Sequence, residues 1–219
     1  MWGLSKMEIA VSLVLGLAAF LLGACPFAVL IGRKVLAKDI RKYGDGNPGA
    51  YNVFRAGGVI PGMAAVILDI AKGIPFVWLG YMIGLPFNNL LFIAVCAVLG
   101  HAFSPFLKFK GGKAIAVTFG VLIALPQTEL LFLFVVFMFI AFLLIEQHSW
   151  VVMMGPTGTA LSLILYSGFT LELAFVLFIL ILYLGKQHKE LDKAPAFRIS
   201  IKKRHHREEG RTNTNKQEL

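Results

Sequence analysis

The chain has 219 residues, of which 58% are hydrophobic and only 15% are charged, and its mean hydropathy is +0.76. A soluble domain carries about a quarter charged residues, so this composition excludes an ordinary water-soluble protein and indicates an integral membrane protein. The net charge of +9 does not indicate nucleic-acid binding, because basic residues beside apolar segments act as orientation signals and contact anionic lipids.

Seven apolar segments predict seven membrane-spanning helices, since a helix needs about 20 apolar residues to cross a bilayer. They are roughly 8–31, 59–84, 88–107, 114–126, 128–145, 149–167 and 171–185. The fourth is short, because 13 residues form about 20 Å of helix against a hydrocarbon core of about 30 Å. Either this helix extends past Pro126, or the loop before it dips below the lipid headgroups.

The basic residues predict the orientation of these spans. Six basic residues lie between spans one and two, three between spans three and four, and ten after span seven. The loops on the other side, residues 85–87, 126–129 and 167–170, contain no basic residue. The positive-inside rule then places the N-terminus outside and the C-terminus in the cytosol. The predicted fold class is an all-α membrane protein, a seven-helix bundle of residues 1–190 in the cell inner (plasma) membrane. Residues 191–219 would form a basic cytosolic tail, disordered beyond about 195.

The first span contains "LLGAC", which resembles a lipoprotein cleavage site ending at Cys25. Hydrophobicity continues to Ile31 and basic residues follow, so we expect a retained helix instead. Cys25 and Cys96 both lie in apolar segments, where we expect packing residues rather than a disulfide or a metal pair. No metal or cofactor is predicted.

The stretch "GDGNPGAYNVFRAGG", residues 44–58, separates the first two spans and has no hydrophobic period. Five glycines and two asparagines predict a loop that is disordered unless other parts of the protein hold it. It contains one acid, Asp45, and one base, Arg55.

Span two contains "LDIAKG", with Asp69 and Lys72 three residues apart. Residues at this spacing share a helix face, so the two charges either neutralise each other as a structural pair or form part of a site.

The segment "HAFSPFLKFKGGKAIAVTFG", residues 101–120, predicts a phosphate-binding loop. Pro105 should end the third span. The pair Gly111-Gly112 lets backbone N–H groups face an anion, Lys110 and Lys113 add positive charge, and the next helix presents its N-terminus. The alternative is a cytosolic turn whose lysines only set the orientation. After span seven, His188 lies in "KQHKELD", where it is either an interface residue or a site residue.

These segments resemble the bacterial acyl-phosphate-dependent glycerol-3-phosphate acyltransferase family over residues 15 to 192. "FLLGACPFAVLIGR" resembles its first span, "DIRKYGDGNPGAYNVFR" its first motif, "LDIAKG" its second span and "GHAFSPFLKFKGGKAIA" its second motif. The resemblance implies seven spans with the N-terminus outside, and transfer of a fatty acyl group from acyl phosphate to glycerol 3-phosphate. The products are lysophosphatidic acid and phosphate, so the enzyme would act in phospholipid synthesis.

The resemblance also implies a site that faces the cytosol. Lys110, Gly111, Gly112 and Lys113 would bind the phosphate of glycerol 3-phosphate, with Asn52, His101 and Lys72 as further substrate-binding candidates. The catalytic candidates are Asn47, Arg55, Asp45 and His188. No Ser-His-Asp or Cys-His arrangement is evident, which favours direct attack by the glycerol hydroxyl over a covalent acyl-enzyme. The expected partners are the two substrates and membrane lipids, with neither nucleic acid nor an obligate protein partner.

Several positions depart from the family pattern. The first-motif serine is Asp45 and its threonine is Tyr51, while the last glycine of the second motif is Ala114. In a loose alignment of the third motif, His148 stands in place of the family's arginine, and Val152 and Met154 stand where serines are expected. The asparagine expected after His188 is Leu191.

Asp45 is the departure with the largest energetic consequence, since a carboxylate about 5 Å from a bound phosphate is repelled by roughly 3 kcal/mol at an effective dielectric near 20. Three outcomes are open: it pairs with Arg55 or a lysine, it acts as a general base for a hydroxyl, or acyl-phosphate binding is lost.

Two other function classes remain open from the sequence. One is a divergent relative with an altered substrate or no catalysis, which would act as a lipid-binding or regulatory membrane protein. The other is a small-anion transporter, because charges inside spans and glycine-broken helices also mark transporters; the absence of paired inverted halves counts against it.

Overall fold

The structure is a computed structural model that describes residues 5–192 and 194–198. Within that part of the chain the regular elements are helices, and the one β pairing is an isolated bridge between Ile145 and Phe197. The all-α class predicted from the apolar segments is therefore confirmed. The chain divides into two compact units, the first ending at Leu131 and the second beginning at Phe132.

The first unit contains helices α1 to α7 and the start of α8. In chain order, α1 to α7 are Lys6–Ala24, Phe27–Val35, Ala50–Gly57, Val59–Ala71, Pro75–Met82, Phe87–Ala102 and Ile115–Ala124. Two 3-10 turns, Ile40–Lys42 and Pro105–Leu107, lie in the connections.

The second unit contains most of α8 (Thr128–Leu144), then α9 (His148–Tyr166), α10 (Leu171–Gln187) and a 3-10 turn, His188–Glu190. Helices α9 and α10 pack together. Ala196 accepts a hydrogen bond from the N–H of Glu146 at 3.0 Å and donates one to Gln147 Oε1 at 2.7 Å. Residues 195–198 thus lie against the α8–α9 connection, while residues 199–219 lie outside the described part, and the predicted disorder of the tail stays a prediction.

Among the described residues, five helical segments are long and apolar enough to cross a membrane, namely Lys6–Val35, Val59–Met82, Phe87–Leu107, His148–Tyr166 and Leu171–Glu190. Two more apolar helices, α7 and α8, are 10 and 17 residues long. All seven overlap the apolar segments predicted from the sequence. The number of crossings and their orientation stay predictions.

The first span is not the continuous helix that its hydropathy predicts, because it breaks at Cys25 and Pro26 between α1 and α2. Proline cannot donate a backbone hydrogen bond, so the break leaves carbonyls without their helical partners. Ser104 Oγ donates to the carbonyl of Ala24 at 2.6 Å, and Lys72 Nζ donates to that of Cys25 at 2.9 Å. Buried side chains thus satisfy the carbonyls that the break exposes.

The second span also breaks, between Ala71 and Pro75. Lys72 lies at this break, 4% exposed, and its ammonium group contacts Asp69 Oδ1 at 2.6 Å. The side chain is enclosed at this position, and the predicted substrate-binding role of Lys72 stays a prediction. The alternative of a structural pair fits its position.

Helices α1 and α6 pack at short range through glycines. A methyl group at Gly23 would overlap the backbone of Ala97, and one at Gly100 would overlap that of Phe20. Small residues let helices approach closely in membranes. This contact fixes the end of α6, from which the second motif continues.

Candidate functional site

The glycine-rich stretch 44–58 is ordered, and half of it is helix α3 rather than the predicted loop. Before α3 the backbone takes positive φ values at Gly44 (54°) and Gly46 (74°), which glycine adopts without strain. Lys38 Nζ donates to the carbonyl of Ala56 at 2.6 Å and satisfies the C-terminal end of α3. The sequence did not predict this contact of Lys38.

Asp45 lies between these two glycines and connects the two motif segments. Its Oδ2 atom is 2.7 Å from Lys113 Nζ, and its Oδ1 atom accepts hydrogen bonds from Asn52 Nδ2 at 2.8 Å and from the N–H of Asn47 at 3.1 Å. Pairing with a lysine, one of the outcomes expected for this acid, is therefore what the structure has. The predicted partner Arg55 is not among these donors.

The pKa of the Asp45 carboxyl is shifted by opposing effects. Partial burial raises the pKa, whereas the hydrogen bonds from Lys113, Asn47 and Asn52 and the charge of Lys113 lower it. The net shift is to below the ordinary value, so Asp45 is ionised at neutral pH. The ion pair is therefore formed under physiological conditions.

Asn52 is fully buried on α3. Its Nδ2 atom donates to Asp45 and, at 2.8 Å, to the carbonyl of Asn47, while its Oδ1 atom has no hydrogen-bond partner among the residues that the structure describes. The side chain of Asn52 thus holds the turn that contains Asp45 and Asn47. The structure brings these predicted residues together with Lys113.

Arg55 is exposed on α3, and its guanidinium contacts Tyr51, one turn earlier on the same helix. Arg55 Nη1 donates to Tyr51 Oη at 2.7 Å, and the guanidinium lies 5.5 Å from the centre of the tyrosine ring. Tyr51, at the position where the resemblance implies threonine, is thus the residue that contacts Arg55.

The Gly111-Gly112 pair is required because the loop packs directly on the end of α6. A methyl group at Gly111 would overlap the carbonyl of His101, and one at Gly112 would overlap the His101 ring. The N–H of Gly112 donates to the carbonyl of His101 at 3.2 Å. That N–H is therefore engaged within the protein, and the binding of a phosphate by the glycine N–H groups stays a prediction.

The same loop has unusual backbone conformations around the lysines. Helix α6 ends at Ala102, before Pro105, as the proline predicts. Lys108, Phe109 and Ala114 have positive φ values of 53°, 61° and 64°. Such conformations are costly for residues other than glycine and collect at functional sites. Ala114 lies where the resemblance implies glycine, the residue that adopts this left-handed conformation without strain.

Helix α7 begins at Ile115, two residues after Lys113, and no side chain caps its N-terminus. It ends at Ala124, so the alternative in which this helix extends past Pro126 is wrong. Its ten residues are about 15 Å long.

A cavity of about 880 Å³ lies next to the Asp45 turn and the second-motif loop. One part of its lining is apolar and another carries positive charge. Asp39 holds Arg41 by two hydrogen bonds of 2.7 and 2.9 Å, which lower the pKa of the Asp39 carboxyl well below its usual value. The lining consists of Cys25, Pro26, Val29, Leu30, Arg33, Arg41, Gly46, Pro48, Phe106, Leu107, Lys108 and Lys110.

His188 belongs to the second unit, at the end of α10. Its Nδ1 atom is 2.9 Å from the carbonyl of Gly185. A carbonyl only accepts a hydrogen bond, so Nδ1 is the donor in this contact. Next to it, Ser149 Oγ donates to Glu190 at 2.7 Å, a contact that the sequence did not predict. The catalytic role of His188 stays a prediction.

The family model for glycerol-3-phosphate acyltransferase matches residues 13–193. A glycerol-3-phosphate acyltransferase of Enterococcus faecalis is 42% identical over 130 residues, covering 59% of this chain and 60% of the relative. One from Dechloromonas aromatica is 36% identical over 162 residues, covering 74% and 80%. The chain thus spans about three fifths of the first relative and four fifths of the second.

The fold is also similar to crystal structures of PlsY (YgiH), an integral membrane glycerol 3-phosphate acyltransferase. The glycerol 3-phosphate form has a TM-score of 0.74 and 27% identity, and the lysophosphatidic acid form has 0.70 and 29%. Both similarities cover 83% of this chain and 90% of the other.

Proposed function

Because this chain belongs to the glycerol-3-phosphate acyltransferase family, we propose that it transfers a fatty acyl group from acyl phosphate to glycerol 3-phosphate. The products are lysophosphatidic acid and phosphate, so the reaction is a step of phospholipid synthesis. The enzyme would work in the inner membrane with its active site facing the cytosol.

The observation that carries this proposal is the meeting of the two motif segments at Asp45, Asn52 and Lys113. It supports a position for the glycerol 3-phosphate anion at Lys113, Lys110 and the uncapped N-terminus of α7. Because the N–H of Gly112 donates to the carbonyl of His101, the lysine side chains and the N-terminus of α7 would attract the phosphate.

The neighbouring cavity supports the position of the acyl phosphate. Arg33, Lys108 and Lys110 suit a phosphate, while Val29 and Phe106 suit the start of an acyl chain. The cavity and the Asp45 turn share Gly46 and the second-motif loop, so two phosphates would be held side by side between cations.

In the transfer itself, the glycerol hydroxyl oxygen forms a bond to the acyl carbon and the bond from that carbon to the phosphate oxygen breaks. The proton of the hydroxyl leaves with the released phosphate or to water. The cations around both phosphates stabilise the negative charge that the departing phosphate gains. Alignment and charge stabilisation are therefore what the residues contribute.

We further propose seven membrane crossings with the C-terminus in the cytosol. The overlap of seven apolar helices with the predicted segments supports this number, and the grouping of basic residues supports the orientation. A ten-residue α7 spans only about half of the hydrocarbon core. The second-motif loop would accordingly lie below the headgroup level, where a lipid and a soluble phosphate meet.

The test is an assay of purified protein with acyl phosphate and glycerol 3-phosphate, in which phosphate release and lysophosphatidic acid are both measured. We expect equal amounts of the two products, and none without glycerol 3-phosphate beyond spontaneous hydrolysis. Folded protein that releases no phosphate under these conditions would exclude the enzyme function.

A further inference from the structure

The Asp45 carboxylate occupies the donors that a substrate phosphate needs. It contacts the Lys113 ammonium group, the Asn52 amide and the Asn47 N–H, all at 3.1 Å or less. These three residues are among those predicted to form the substrate site. The Asp45 side chain is only 22% exposed, so it lies within this set of donors rather than projecting away from it.

A carboxylate and a phosphate compete for such donors, because both are anions that bind cations and N–H groups. Two anions about 5 Å apart near a protein surface repel each other by an amount equal to roughly a hundredfold in affinity. Solvent and ions screen part of this repulsion, since the site opens to water. We therefore expect Asp45 to weaken the binding of a phosphate about tenfold.

We propose that Asp45 is an internal competitor, which fills the phosphate position of the empty enzyme and which glycerol 3-phosphate displaces from Lys113. This inference rests on the proposed function. Asp45 is then a specificity-determining residue that raises the concentration of phosphate substrate needed for binding, and that helps products leave by returning to Lys113. It is not a general base.

The experiment compares the wild-type chain with Asp45→Asn, which keeps the shape of the side chain and removes its charge. Binding of glycerol 3-phosphate to purified protein without acyl donor is measured by calorimetry. The dissociation constant should fall about tenfold, and Asp45→Ser should shift it in the same direction. Glu129→Gln, which neutralises a carboxylate beyond the far end of α7, is the matched control and should change nothing.

Turnover separates the alternatives. With both substrates, the KM of Asp45→Asn for glycerol 3-phosphate should fall while kcat stays within about threefold. Unchanged or weaker binding in both Asp45 variants would overturn the inference. So would a kcat lowered by about a hundredfold at unchanged affinity, the mark of a lost general base. Absence of turnover in the wild type defeats the proposed function instead, and calorimetry distinguishes the two failures.

Discussion

Lys113 is the cation that both motif segments share, since its ammonium group contacts Asp45 and its backbone leads directly into α7. One charge-assisted hydrogen bond to a phosphate contributes about 1.5–3 kcal/mol. We therefore expect Lys113→Ala to lose the thermal stabilisation that glycerol 3-phosphate gives to the wild type. The measurement is the change in Tm with added glycerol 3-phosphate.

Lys42→Ala serves as the control for this variant, because it removes an exposed cation of the 3-10 turn before the Asp45 loop. It should keep the full shift in Tm. An equal shift in Lys113→Ala and in the wild type would contradict the assignment of Lys113 to phosphate binding.

The pairing of Asp45 shows where sequence reasoning ends at the level of single residues. The acid was identified, with Arg55 and the lysines as possible partners. Arg55 is nearer to Asp45 in sequence, but its guanidinium donates to Tyr51 on the same helix face. Lys113, the partner that Asp45 has, is 68 positions away. A choice between partners at such different separations depends on how α3 and the second-motif loop pack, which the local pattern does not contain.

At the level of elements, the contacts of Lys72 join the break in the second span to the break in the first. Its ammonium group contacts both Asp69 and the carbonyl of Cys25, so Lys72→Met leaves a buried carboxylate without its cation, while the Cys25 carbonyl keeps the hydrogen bond from the N–H of Phe27. We expect a loss of about 3–5 kcal/mol in unfolding free energy, measured as a lower Tm in detergent.

The double variant Lys72→Met, Asp69→Leu controls for the uncompensated charge. It should regain part of the stability, because no buried carboxylate is then left without its cation and the Cys25 carbonyl still accepts from the N–H of Phe27. If Lys72→Met kept the wild-type Tm and lost only activity, Lys72 would be a site residue and its structural role would be refuted.

Helix α2 contributes to the cavity through Arg33, while the next residue, Lys34, does not line it. One partly exposed cation beside an anion contributes about 1–1.4 kcal/mol, which equals about fivefold to tenfold in affinity. Arg33→Gln should accordingly raise the KM for acyl phosphate by this factor and leave the KM for glycerol 3-phosphate unchanged, as measured by initial rates. Lys34→Gln, which removes the same charge from the same helix, should change neither; equal effects of the two variants would contradict the cavity as the donor site.

At the level of the whole chain, hydropathy locates the seven apolar helices of the described residues, because long apolar runs are what a membrane-spanning helix requires. It missed the break at Pro26 and the helix α3, since both depend on partners from distant segments. Ser104 and Lys72 make the break tolerable, and Lys38 and Asn52 hold α3 and its preceding turn. The role of the second-motif glycines in binding a phosphate stays a prediction, and the contact of the Gly112 N–H with the carbonyl of His101 depends on three-dimensional packing that the sequence does not show.

The distribution of basic residues makes a prediction about the chain as a whole, because moving many cations across the membrane is unfavourable. In a variant without Cys25 and Cys96, a single cysteine is introduced as Ser167→Cys or as Lys42→Cys, both at exposed positions. In sealed right-side-out vesicles, a membrane-impermeant maleimide should label the Ser167 variant and leave the Lys42 variant unlabelled. Detergent should then make the Lys42 variant reactive, which shows that its thiol is intact. Labelling of the Lys42 variant in sealed vesicles would place the motif segments outside, away from a cytosolic substrate, and would contradict the proposed orientation.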